Sequence, residues 1–98
     1  MGIDLPHDKI AALCGKWRIT EFALFGSVLR DDFGPESDVD VLLTFEPDAP
    51  WSLWDIVDLQ DELKVLFGRE VDIVEKKAIR NPYRKREILR THEVVYAA

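Results

Sequence analysis

The stretch Asp38-Val39-Asp40-Val41-Leu42-Leu43 decides how this chain is read. Acidic and apolar residues alternate at its start, which is the pattern of a strand whose two faces differ. Val39, Val41 and Leu43 point toward a core, while Asp38 and Asp40 project together from the opposite face. Two residues of strand rise set their Cα atoms about 6.6 Å apart, close enough for both carboxylates to reach one ion. An edge strand with acids on its wet face shows the same alternation, so the pair alone does not settle the matter. Adjacent ionised carboxylates repel unless a cation compensates them. Oxygen ligands of this kind suit Mg²⁺, which takes one or two carboxylates and fills its octahedron with waters and substrate phosphates.

Upstream, Ile19 to Phe25 is rich in β-branched and aromatic residues and reads as a strand. Gly26-Ser27 breaks it, and Ser27 to Asp32 has the length of a short helix. Glycine lets a backbone approach an anion closely, and the free N–H groups of a helix start bind phosphate, helped here by the Ser27 hydroxyl. Arg30 lies one helical turn from Ser27 and faces the same anion. Gly34-Pro35 marks a turn, and Ser37 leads into the acidic strand. Gly26-Ser27-x-x-Arg30 and Ser37-Asp38-x-Asp40 thus offer phosphate donors and metal ligands at the ends of two neighbouring strands. Such a set suits the transfer of a nucleotidyl group. A third carboxylate, Asp72, sits in the apolar run Val71-Asp72-Ile73-Val74. Beside Asp38 and Asp40 it is a candidate metal ligand and acceptor of a proton from an attacking hydroxyl.

The rest of the chain supplies a frame for these residues. His7 to Trp17 reads as a helix with Ile10, Leu13 and Cys14 on one side, weakened or ended by Gly15. Glu46-Pro47-Asp48-Ala49-Pro50 is a loop. Ser52-Leu53-Trp54-Asp55 has the form of a capping box, with Asp replacing the longer Glu. Ile56, Leu59, Leu63, Leu66 and Phe67 follow along one helical face, and Gly68 is the stop signal. Glu70 to Val74 reads as a strand. Asn81-Pro82 caps and opens a last helix that runs to about Thr91, and Val94-Val95-Tyr96 forms a short edge strand. Helices alternating with strands predict a small α/β or α+β sheet domain.

With 98 residues the chain has the size of a single domain, 1–98. Hydrophobic residues at 47% and charged ones at 33% exclude a disordered or collagen-like chain. No apolar run approaches the ~20 residues needed to span a bilayer, and the acidic, proline-bearing N-terminus lacks the pattern of a secretory signal. The lone cysteine, Cys14, suits a reducing cytoplasm. A net charge of −6 argues against general nucleic-acid binding but leaves room for a nucleotide held through a metal.

The run Gly26-Ser27-Val28-Leu29-Arg30 followed by Ser37-Asp38-Val39-Asp40-Val41-Leu42 resembles the signature of the DNA polymerase beta-type nucleotidyltransferase superfamily. The short length and the late Asn81-Pro82-Tyr83 segment resemble the minimal nucleotidyltransferases, the MntA-like antitoxins paired with HEPN-domain toxins. The resemblance covers nearly the whole chain. It implies an α+β fold with a small mixed sheet flanked by helices, and ATP and Mg²⁺ at the sheet end. It further implies that Gly26 and Ser27 hold the triphosphate, that Asp38 and Asp40 bind metal, and that Asp72 completes the metal site and activates the acceptor. The implied activity is transfer of AMP from ATP to a tyrosine of the partner toxin, in a hetero-oligomer that silences the toxin. Asp31 followed by Asp32 departs from the family, whose members commonly carry glycine after the arginine.

Tyr83, Arg84, Lys85, Arg86 and Arg90 concentrate positive charge in an acidic chain. Such a run is often a solvated helix face, and it also suits an acidic partner or nucleotide phosphates. Trp51 and Trp54 flank Ser52 and are expected to pack on the core or staple the helix start. His7 and His92 lack metal-ligand spacing and read as surface residues. Two other readings stand beside protein adenylylation. One is neutralisation of a toxin by binding alone, and the other is nucleotidyl transfer to a small molecule, for which the chain is short.

Overall fold

The computed structural model describes residues 6–26 and 38–98. Its elements follow the order α1 (His7–Trp17), β1 (Ile19–Phe25), β2 (Val39–Phe45), α2 (Leu53–Phe67), β3 (Val71–Glu75), a 3₁₀ turn (Lys76–Ala78), α3 (Pro82–Thr91) and β4 (Glu93–Ala97). The strands form one four-stranded sheet in the order β3-β2-β1-β4. β1 pairs antiparallel with β2 and β4, whereas β2 and β3 are parallel. The sheet is therefore mixed, as the motif implied. β2 lies inside it, so its acids are not those of an edge strand.

Side-chain alternation divides the core between the two faces. Val39, Val41 and Leu43 of β2 join Phe22 and Leu24 of β1 beneath Ile10 and Cys14 of α1 and Leu59 and Leu63 of α2. On the other face Ala23, Phe25 and Leu42 pack with Ile88 of α3. α1 and α2 thus cover one side and α3 the other. Ile19 and Phe22 reach the same core despite opposite parity, because the β1–β2 register shifts between Ile19 and Glu21. Cys14 is fully buried in this core, and desolvation pushes its thiol up to about 12.

Helix ends follow local chemistry. Ser52 and Asp55 form the reciprocal cap: Asp55 N–H donates to Ser52 Oγ at 3.4 Å, and Ser52 N–H donates to Asp55 Oδ2 at 2.9 Å. Aspartate is long enough here. Gly68 closes α2 at φ 70°, a left-handed backbone that costs glycine little. Asn81 accepts from the N–H groups of Tyr83 and Arg84 at the start of α3. Gly15 does not end α1, which continues to Trp17 and closes on Arg18 at φ 57°. A left-handed arginine is uncommon, and this one is held by its side chain. Its Nε donates to Glu46 at 2.6 Å and its Nη2 to Asp48 at 2.8 Å, pinning the loop that follows β2.

Trp51 joins the same junction, donating to the Trp17 carbonyl at 2.7 Å and meeting the Trp17 ring edge-on at 5.0 Å. Trp54 does not pack and is 78% exposed. Position explains the difference, since Trp51 precedes the cap and folds back, whereas Trp54 follows it on the outer face of α2. His7 is exposed; His92 is half-buried, with Nδ1 2.7 Å from the Leu89 carbonyl. No described helix is long and apolar enough to cross a membrane.

Replacing Ser52 with alanine removes the side-chain half of the cap and should cost about 1 kcal/mol. In a domain of this size that lowers the thermal midpoint by roughly 4–8 °C, measurable by circular dichroism.

Candidate functional site

Gly26, Asp38, Asp40 and Asp72 gather at one end of the sheet because of strand direction. β1 runs toward this end and finishes at Phe25, where Gly26 follows; β2 and β3 both start there. Asp40 is the register partner of Phe25 on one side and of Asp72 on the other. Partners in a parallel ladder project to the same face, so Asp40 and Asp72 stand side by side on strands about 4.8 Å apart. Leu42 and Val74, two residues further along, pack with α3 and fix which face that is. Asp38 precedes β2 in the same alternation.

Gly26 has φ 74°, and a Cβ built on it would overlap Asp40 Oδ2. The Asp40 carboxylate therefore lies directly against the glycine backbone, and a side chain there would have to displace it, on a left-handed backbone that itself favours glycine. Asp40 is half-buried, while Asp38 and Asp72 are exposed. None of Asp38, Asp40 and Arg69 is without an interaction partner. Among the described residues no three His, Cys, Asp or Glu side chains converge closely enough to hold a metal ion. The strands align the Cα atoms of the acids; bringing the carboxylates onto one ion is left to side-chain rotation. The donor set is oxygen only, with two aligned carboxylates and a third two residues along the strand, and it fits Mg²⁺. Ser27, Arg30, Ser37, the expected helix over 27–32 and the Gly34-Pro35 turn lie outside the described residues.

Positive charge reaches this end from places the motif does not mark. Lys64, in the last turn of α2, pairs with Glu70 at 3.0 Å just before β3. Its proton is held more tightly chiefly by the hydrogen bond to Glu70, with Asp61 and Asp72 adding attraction. Arg69 lies in the same short connection. Only the closure of α2 onto β3 brings these groups near Asp72; the one sequence hint is that the helix stop at Gly68 stands four residues before that aspartate.

The basic segment of α3 divides. β3 leads away from the acids, α3 returns, and β4 begins at Glu93 opposite Leu24, back at the acidic end. Tyr83 and Arg84 therefore lie at the far end of α3. Arg90, paired with Glu87 at 3.3 Å, lies in its last turn, at the near end. Tyr83 is 81% exposed, and Arg84 and Arg86 are exposed as well.

Comparison with known proteins agrees with this geometry. The sequence profile described as a nucleotidyltransferase domain matches residues 9–95. A Methanocaldococcus jannaschii protein provisionally named a protein adenylyltransferase is 37% identical over 82 residues, covering 84% of this chain and 80% of its own. Protein adenylyltransferase MntA of Thermococcus cleftensis is 37% identical over 81 residues, covering 83% of this chain and 77% of its own. Among solved structures, a provisionally assigned minimal nucleotidyltransferase superposes with a TM-score of 0.72 at 30% identity, covering 89% of this chain and 86% of its own. Two more distant ones share the fold. A chain of a toxin–antitoxin crystal structure with AMP-PNP gives a TM-score of 0.76 at 17% identity, over 96% of this chain and 75% of that one. A chain from the complex of tri-AMPylated Shewanella oneidensis HEPN toxin with MNT antitoxin gives 0.67 at 15%, over 94% and 70%. With the profile spanning most of its length and Gly26, Asp40 and Asp72 meeting at the sheet end, the chain belongs to the nucleotidyltransferase domain family, as a minimal, MntA-like member.

Proposed function

We propose that this protein is a Mg²⁺-dependent adenylyltransferase that moves AMP from ATP to a tyrosine hydroxyl of a HEPN-domain toxin and thereby acts as its antitoxin. The observation that carries the reading is the placement of Asp40 between Gly26 and Asp72 at one sheet end. Support for the donor and the partner comes from relatives named protein adenylyltransferases and from the AMPylated-toxin complex that shares the fold.

Each residue has a distinct task in the proposed reaction. Gly26 leaves the backbone bare where the triphosphate approaches, and Ser27, Ser37 and Arg30 belong to the same phosphate-binding segment. Asp38 and Asp40 hold the metal, and Asp72 completes its ligands. A bound Mg²⁺ would offset the charge that builds on the transferred phosphoryl group and the leaving oxygen. The acceptor oxygen attacks the α-phosphorus in line, its proton passes to Asp72, and the bond to pyrophosphate breaks. Alignment of these groups on adjacent strands supplies the positioning. Tyr83, Arg84 and Arg86 offer an exposed surface to the toxin, with Arg suited to carboxylate contacts.

Asp38→Asn and Asp40→Asn should each abolish AMP transfer while the fold is retained. The check is the mass of a HEPN-domain toxin after incubation with this protein, ATP and Mg²⁺: wild type adds AMP units and the variants add none. Normal turnover by folded Asp40→Asn would overturn the metal assignment. Tight association without any mass gain for the wild type is the signature of an antitoxin that works by binding alone.

Gly26→Ala must place a methyl group where the Asp40 carboxylate lies, in a left-handed backbone. AMP transfer should fall by an order of magnitude or more, with a stability loss of about 1 kcal/mol from the backbone alone. Gly68→Ala is the control, since its φ of 70° is similar but nothing lies within 4 Å. It should match the stability loss and keep its rate.

Reversing charge at Arg84 and Arg86 should weaken toxin binding at low salt, read by calorimetric titration. Unchanged affinity would remove this helix from the interface.

A further inference from the structure

Among the described residues β3 is an edge strand, with β2 on one side and no strand on the other. Its inner side is tied to β2 where Val39 N–H donates to the Glu70 carbonyl at 2.9 Å. Successive carbonyls of a strand point to opposite sides, so the Val71 carbonyl faces the open edge. There it accepts a hydrogen bond from Gln60 Nε2 at 2.7 Å, a partly buried contact that reaches down from α2. The Val71 carbonyl and the Asp72 N–H belong to one rigid peptide plane. A side chain that fixes this carbonyl also fixes where the Asp72 Cα, and hence its carboxylate, starts.

We propose that Gln60 is a positioning residue for Asp72, holding the Val71–Asp72 peptide at the open edge of the sheet so that the Asp72 carboxylate stays in line with Asp40. The inference rests on the reading of Asp72 as a metal ligand and proton acceptor. Strand pairing holds Asp40 on both sides, through β1 and β3. Among the described residues, Asp72 has strand pairing on one side only. Gln60 supplies the missing hold, at the first residue of β3 and next to the acid. A glutamine in mid-helix needs no such partner for the helix itself, and its amide is directed at the strand backbone instead.

The test uses Gln60→Met, which keeps the length and removes the donor, and Gln60→Lys, which restores a donor. Two quantities are read: Mn²⁺ affinity of the protein without nucleotide, and the rate of AMP transfer to a HEPN-domain toxin. Gln60→Met should weaken each by about ten- to a hundredfold, the usual effect of losing a group that orients a metal ligand. Gln60→Lys should recover most of both. A merely structural role would lower the thermal midpoint without selective loss of Mn²⁺ affinity. Gln60→Met within twofold of wild type in both readouts, beside an inactive Asp72→Asn, would overturn the positioning role and leave Asp72 in place. Full metal affinity and rate in Asp72→Asn would instead overturn the reading of Asp72 itself. Should Gln60→Met fail to fold, Gln60→Glu, of the same shape with an acceptor in place of the donor, takes its place with the same expected losses.

Discussion

Two carboxylates stand opposite one another on adjacent strands, and like charges in that position repel. A sheet folded for stability alone would place a hydroxyl or a basic residue at one of the two positions. Here the repulsion is tolerated because the strands that carry the acids are anchored from the other face. Val39, Val41, Leu43 and Val71 are essentially buried, so the backbone beneath Asp40 and Asp72 is set by packing under α1 and α2. Alternation in a strand makes this division possible, since each apolar residue that fixes the strand leaves its neighbour free for chemistry.

The same separation explains why Gly26 is required where it is. An acid on the inner strand needs space beside it, and β1 has to end within contact of Asp40. A side chain at position 26 would compete for the volume that the carboxylate occupies. Removing Cβ gives that volume to the acid and leaves bare backbone beside it. A local irregularity at the end of β1 and an ionised group on β2 are thus one feature of the structure. The bulge near the start of β1 belongs to a different task, since it turns Ile19 into the main core at the far end of the sheet.

Much of this frame was legible from residue order. The alternation in β2, the Ser52–Asp55 cap, the Gly68 stop and the Asn81-Pro82 helix start are local patterns, and each helix and strand expected among the described residues lies within a residue or so of its expected bounds. Gly15 is tolerated within α1 because its cost inside a helix is small beside the burial of Cys14 and Trp17 on either side of it. The ion pairs of Arg18 and the hydrogen bond of Trp51 were illegible for another reason. Their partners, Glu46, Asp48 and the Trp17 carbonyl, are 28 to 34 residues away and meet them only after the sheet has formed. At the site, the acids announce themselves by spacing along one strand, whereas Lys64 and Gln60 become neighbours of Asp72 through the turn from α2 into β3.

Layering then limits how anything can reach the acids. α1 and α2 fill the face opposite Asp40 and Asp72, and their buried residues leave no route through it. α3 occupies the other face, where Ile88 shares a cluster with Leu42, Val74 and Phe25, the strand partner of Asp40. Among the described elements, an acceptor side chain can meet Asp72 from the α3 side, at the end where α3 gives way to β4, or across the open edge of β3. With about 1.5 Å of rise per residue, α3 is about 15 Å long, so Tyr83 and Arg90 mark opposite ends of the α3 approach. A protein large enough to touch the exposed Tyr83 while inserting a hydroxyl beside Asp72 has to lie along the helix. A small molecule has no use for the far end, so a functional role for Tyr83 and Arg84 would favour a macromolecular acceptor over a small one.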